Sequence, residues 1–277
     1  MGQRITVVDA FTSEAFSGNP AAVCVLSEPT TEAWMQTVAR EMKHSETAFC
    51  VPLKDGGFEL RWFAPDGEVR LCGHATLAAA HVLWEEGWLP PQSVARFSTK
   101  SGVLTAAPLG RLVELDFPAR PPSEAIAPTG MLDALGVDSL WVGRDADDYM
   151  VRLRDEAAVA ACTPDFRSLR AVETRGVIIT AEGSDDAVDF VSRFFAPRYG
   201  IDEDPVTGSA HCTLAPFWAN VLGKTRMSAR QLSKRSGTLE VELSSDRVKL
   251  RGACVTILRG SLTESPPSDS KAMSWHP

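Results

Sequence analysis

Short apolar runs at residues 5–10, 22–26 and 47–53, and the alternation of Phe58, Leu60 and Trp62 with polar neighbours, predict strands in the first third of the chain. Between them Trp34, Val38 and Met42 recur at helical spacing behind Thr30 and Thr31. A capped helix ending near Lys43 is therefore expected. The run HATLAAAHVLW at 74–84 has almost no polar face, which predicts a helix buried on all sides. Residues 97–117 read as two strands with their turns, and the proline-rich stretch 118–128 as a connection between domains.

The second half follows the same style. Strands are expected at 149–153, 176–181 and 187–195, with two short helical patches between Asp155 and Arg170. A second apolar helix is expected over 209–222, kinked or divided by Pro216. Runs at 238–243, 247–251 and 253–258 predict a closing meander, and the Ser- and Pro-rich end a loose tail. No GxGxxG follows the first strand, so a dinucleotide fold is disfavoured.

The halves also share landmarks. Phe63-Ala64-Pro65 leading to Gly73-His74-Ala75 is answered by Phe195-Ala196-Pro197 leading to Gly208-Ser209-Ala210, and Ser101-Gly102 by Ser236-Gly237, both at an offset of about 135 positions. Duplication predicts two similar domains, 1–118 and 119–262, followed by a tail at 263–277. Pseudo-symmetry would let the two Gly-headed helices face each other across a cleft. Each helix start would offer backbone N–H groups and a positive dipole end to a small anion.

Composition narrows the partners. The chain has 277 residues, 44% hydrophobic and 23% charged, and a net charge of −8 without a basic cluster. Nucleic acid and anionic membrane are thus not expected as partners. No window approaches the ~18 apolar residues of a membrane-spanning helix. Six scattered cysteines without a CxxC pair read as reduced thiols in a cytoplasmic protein, without a zinc site.

The motifs VDAFTSEAFSGNPAAV, SETAFCV, RWFAPDGEVRLCGHATLAAA and RFFAPRYGIDEDPVTGSAHC, in this order and spacing, resemble the phenazine-biosynthesis PhzF-like isomerase family. That family lies within the diaminopimelate epimerase-like fold, and the resemblance spans nearly the whole chain. It implies an α/β protein of the α+β type with two pseudo-symmetric domains, each a mixed sheet rolled around a central helix. It further implies an active site between them, no metal or organic cofactor, a small carboxylic-acid substrate and a homodimer.

Residue by residue, the resemblance places the acid/base glutamate on Glu46, with His74, Asp204 and Ser209 as its catalytic partners. Gly73 and Gly208 would hold the substrate carboxylate, and Asn19 is a further contact candidate. In the family's type reaction, isomerisation of trans-2,3-dihydro-3-hydroxyanthranilate, a proton leaves one ring carbon and returns at another. A carboxylate in an apolar pocket can serve as base and then as acid. Taken singly, His74 also fits a core histidine, Asp204 a turn residue before Pro205 and Ser209 a helix cap; His81 and His211 are read as structural.

Racemases of the same fold use two thiols, whereas here Cys72 is matched by Thr207, which disfavours two-thiol chemistry. Cys72 as base for water elimination from a small hydroxy acid, or for epimerisation, remains an alternative. A non-catalytic small-acid binding module is another.

Overall fold

The computed structural model describes residues 2–267 and divides into two compact units. The first holds residues up to Ala15, Pro20–Leu115 and the chain from Ala253; the second holds Phe16–Asn19 and Asp116–Gly252. The part of the expected tail beyond Pro267 lies outside the described residues.

In the first unit the strands are β1 (Arg4–Ala10), β2 (Asn19–Val25), β3 (Thr47–Pro52), β4 (Phe58–Ala64), β5 (Gly67–Val69), β6 (Ala95–Thr99), β7 (Gly102–Leu109) and β8 (Leu112–Pro118), with helices α1 (Glu32–Met42) and α2 (Gly73–Glu85). Residues 97–117 thus belong to three strands rather than two, because β7 and β8 fold back at Gly110 (φ 61°) into separate antiparallel partners. The second unit carries β9 (Ser123–Glu124), α3 (Met131–Leu135), β10 (Trp141–Arg144), β11 (Asp148–Arg152), α4 (Glu156–Ala161), α5 (Phe166–Leu169), β12 (Gly176–Glu182), β13 (Phe190–Ala196), β14 (Ile201–Asp204), α6 (Gly208–Leu222), β15 (Arg226–Gln231) and β16 (Gly237–Ser244). A long last strand, β17 (Arg247–Ser261), pairs with β16 through its first half and with β1 through its second.

The two units repeat one pairing scheme. In the first, β2 and β3 are parallel, β3 and β4 antiparallel, β4 and β6 parallel, and β6, β7 and β8 antiparallel, with β5 folded onto β4. In the second, β11, β12, β13, β15, β16 and β17 follow the same sequence of directions, with β14 folded onto β13. The strands β1, β2, β3, β4, β6, β7, β8 and β17 form a ring of pairings that returns to β1, a closed eight-stranded barrel. Closure removes the exposed strand edges an open sheet would leave.

Each central helix is as apolar as its sequence demands. Nine of the 13 residues of α2 are buried, and it packs against β1, β3 and β7. In the second unit α6 packs on β15 and β16, with Trp218 stacked on Phe190 of β13 and donating from Nε1 to Thr180 Oγ1 at 3.0 Å. By contrast α1 is amphipathic: it buries Met35, Val38 and Ala39 against β1, β2 and β3 residues, and Thr31 caps it by accepting from Trp34 N–H.

Two expectations need correction. Pro216 does not divide α6, which runs unbroken for 15 residues. A proline removes the N–H that would bond the carbonyl four residues back; that carbonyl, on Cys212, instead accepts from the backbone N–H of Arg120 at 2.9 Å. The same bond, together with Ala119 N–H to Asp246 O and the pairing of β9 with β10, anchors the 118–128 stretch within the second unit instead of leaving it as a bare linker. β10 and β15 escaped the sequence pattern because their buried positions alternate through small or polar residues, as in Met227, Ala229 and Gln231.

Candidate active site

The candidate residues gather into two clusters, one in each unit. Both are built at the start of a central helix that the protein leaves uncapped. Thr31, Asp155 and Asp165 cap α1, α4 and α5 with side-chain oxygens, whereas Cys72 and Thr207, in the corresponding positions of α2 and α6, make no cap bond. Among the described residues the N–H groups of Gly208, Ser209 and Ala210 find no acceptor. A helix start near the core with unsatisfied donors is a site for an anion.

In the first unit Lys43, in the left-handed conformation (φ 55°), ends α1, and the turn of His44 and Ser45 delivers Glu46 to the head of β3. The Glu46 carboxylate lies 3.4 Å from Nε2 of His74, the second residue of α2, and Cys72 Sγ lies 3.5 Å from the other ring nitrogen, Nδ1. Burial, with a smaller push from nearby His44, lowers the His74 pKa to about 3, so the ring is neutral at physiological pH. A neutral imidazole donates from one nitrogen and accepts at the other. The Glu46 carboxylate and the Cys72 thiol thus lie against opposite nitrogens of a ring whose donor and acceptor sides are set by its tautomer.

Glu46, Cys72 and His74 also offer donor atoms within 4.8 Å of one another, the spacing of a metal site.

In the second unit Asp204 ends β14 and is buried. Its Oδ1 accepts from Asn19 Nδ2 at 2.9 Å and its Oδ2 from Thr207 Oγ1 at 2.5 Å, so the hydroxyl that would cap α6 is spent on the carboxylate. Gln231 completes the network: its Oε1 accepts from Thr207 N–H at 2.9 Å and its Nε2 donates to the Asp204 carbonyl at 2.8 Å. Burial raises the Asp204 pKa to about 6, against the opposing pull of the Thr207 and Asn19 hydrogen bonds and the Arg175 charge. Asn19 reaches this unit because Arg235 donates to the carbonyls of Ser17 and Gly18, fixing the turn that precedes it.

Ser209 follows Gly208 in the first turn of α6, and its Oγ accepts from Arg175 Nη2 at 3.2 Å. Cys212, one turn on, directs its thiol to the Gly208 carbonyl, and burial pushes its pKa up to about 12, which disqualifies it as a thiolate base. His211 bonds Thr207 O through Nδ1 at 2.8 Å and is held neutral by burial; His81 bonds Thr256 at 3.0 Å. Both have the structural partners expected of them.

Thus Glu46, Cys72, Gly73 and His74 share the first cluster, and Asn19, Asp204, Thr207, Gly208 and Ser209 the second. Gln231 and Arg175 were not foreseen. Neither sits in a motif: Gln231 closes an unremarkable polar strand, and Arg175 precedes a glycine in a loop.

These features define a two-unit α+β protein of the epimerase-like class, with strands wrapped around Gly-headed apolar helices. The family model for phenazine biosynthesis-like proteins (PhzC-PhzF) matches residues 8–260, and the chain belongs to that family. An uncharacterized isomerase of Halalkalibacterium halodurans is 49% identical over 95% of this chain and 99% of its own length. The crystal structure of a PhzF-family protein from Enterococcus faecalis superposes with a TM-score of 0.90 at 41% identity, covering 95% of this chain and 99% of the other. At the level of fold alone, a hydroxyproline epimerase from Agrobacterium vitis superposes with a TM-score of 0.60 at 13% identity over 93% and 91% of the two chains.

Proposed function

We propose that the protein is a cofactor-independent isomerase that moves a proton between carbons of a small, cyclic carboxylic acid, with Glu46 as the acid/base group. The observation that carries this is the Glu46 carboxylate lying 3.4 Å from an imidazole kept neutral by burial. Glu46 takes a proton from one carbon, the C–H electron pair moves into the adjacent double-bond system, and a proton is delivered to a second carbon as the double bond shifts. Bonds and electrons balance without an external redox partner. His74 accepts or donates at Nε2 as Glu46 changes state, and Asp204, with a proton affinity near neutrality, serves the polar substituent of the substrate. The uncapped start of α6 holds the substrate carboxylate through its backbone N–H groups.

The type substrate of this reading is trans-2,3-dihydro-3-hydroxyanthranilate, and the working form is a cytoplasmic homodimer. Solvent-deuterium incorporation into a panel of small cyclic and amino carboxylic acids, followed by NMR for the parent and Glu46→Gln, tests it. Exchange in the parent that is absent from the variant supports the assignment; equal exchange in both removes Glu46 from the chemistry. One contact favours a second reading. Cys72 Sγ beside His74 Nδ1 could act as the base of an elimination or epimerisation, in which case Cys72→Ser is the damaging change.

A further inference from the structure

One contact at the start of α6 is not used by the isomerase reading. Arg175, immediately before β12, donates from Nε to Asp148 Oδ1 at 2.8 Å and from Nη2 to Asp148 Oδ2, and the same Nη2 lies 3.2 Å from Ser209 Oγ. Its guanidinium is also 5.8 Å from the centre of the Phe194 ring. The Asp148 side chain has no exposed surface, so the pair is a strut anchored in the interior at its carboxylate end. The adjoining backbone is pressed against it: a Cβ on Gly176 would come within 2.2 Å of the Phe194 ring and 3.1 Å of Asp148 Oδ1.

Hydrogen-bond direction gives the strut a consequence. A guanidinium has donors and no acceptor, so Ser209 Oγ must accept from it. The serine proton is thereby left for another acceptor, beside the unsatisfied N–H groups of Gly208, Ser209 and Ala210. An anion seated there would meet three N–H groups, the Ser209 O–H and the Arg175 side chain, which is 35% exposed. Carboxylate oxygens accept from all of these. An amide presents one oxygen and an NH2 group, which would oppose donors with a donor.

We propose that Arg175, seated by Asp148, is a positioning residue that makes Ser209 a hydrogen-bond donor, so that the start of α6 selects a substrate carboxylate over the corresponding amide or ester. The proposal rests on the isomerase reading for the statement that α6 receives the substrate's acid group.

The test is calorimetric binding of anthranilate and of its uncharged amide to the full-length protein. Four variants are compared with the parent: Ser209→Ala, Arg175→Lys, Arg175→Met and the double change Arg175→Met/Asp148→Asn, which avoids stranding a buried carboxylate. The parent is expected to prefer the acid by tenfold or more. Arg175→Met, or the double variant if the single one fails to fold, should lose most of that preference while binding the amide as the parent does. Arg175→Lys should restore part of it, and Ser209→Ala should weaken binding of the acid more than binding of the amide. A folded double variant that keeps the parent's preference, or that weakens acid and amide equally, overturns the role of Arg175 while leaving Glu46 chemistry intact. A parent that binds acid and amide alike overturns this inference together with the carboxylate seat; deuterium exchange dependent on Glu46 would still report the proton transfer separately.

Discussion

Asn19 donates from Nδ2 to Oδ1 of Asp204 at 2.9 Å, a buried hydrogen bond between residues 185 positions apart. With Thr207 on the other oxygen it holds the carboxylate in one orientation without neutralising it. Burial disfavours the ion and the two donors favour it, leaving the group poised near the pH at which it would have to exchange a proton.

Removing either donor should raise the Asp204 pKa further. Asn19→Ala and Thr207→Val are each expected to move its titration above the parent value of about 6, as followed by 13C NMR of the carboxyl carbon. A downward or absent shift would mean that these bonds do not select the ionised form.

The same group predicts a pH dependence of stability. Because the folded pKa of about 6 exceeds the ordinary 3.8, the folded state binds the proton more tightly. This contribution is fully present below pH 3.8 and is lost as pH rises through 6. Asp204→Asn should therefore gain on the parent between pH 4 and 7.5, by up to about 3 kcal/mol for a shift of this size. Urea midpoints at the two pH values check the sign.

His74 has the opposite linkage. Its folded pKa of about 3 lies below the ordinary 6.5, so it opposes folding at low pH, and stability recovers as pH rises from 3 through 6.5. Its ring 15N signals should stay those of one neutral tautomer from pH 5 to 8. A ring that titrates near 6.5 would show that water reaches the Glu46 cluster.

Glu46→Gln preserves shape and removes the ionisable group. Turnover is expected to fall by about 100-fold or more, with a thermal midpoint close to the parent's, since the side chain is at a loop-to-strand junction and not in the apolar core.

For the second unit, Trp218→Ala should cost about 3–5 kcal/mol in a denaturant titration, because the indole is fully buried, stacks on Phe190 and donates to Thr180. Trp218→Phe keeps most of the stacking and should cost less; an equal cost would assign the effect to the hydrogen bond.

What the sequence by itself determined follows from local physics. The all-apolar runs after Gly73 and Gly208 had to be enclosed helices, alternating runs such as 58–62 had to be half-buried strands, and the repeated motifs announced two related units and their family. Glu46, His74, Asp204 and Ser209 were legible only because they stand inside those motifs. Tertiary structure decided the rest. It gave Cys212's freed carbonyl to Arg120, so that Pro216 could remain inside α6, and it brought the turn at Gly18 onto Arg235, so that Asn19 meets Asp204. It also set Gln231 behind Thr207 and Arg175 behind Ser209. These are single hydrogen bonds between residues 24 to 217 positions apart. They carry no periodicity and no composition signal, because what selects them is the need of each buried donor and acceptor for a partner, which exists only once the chain has folded.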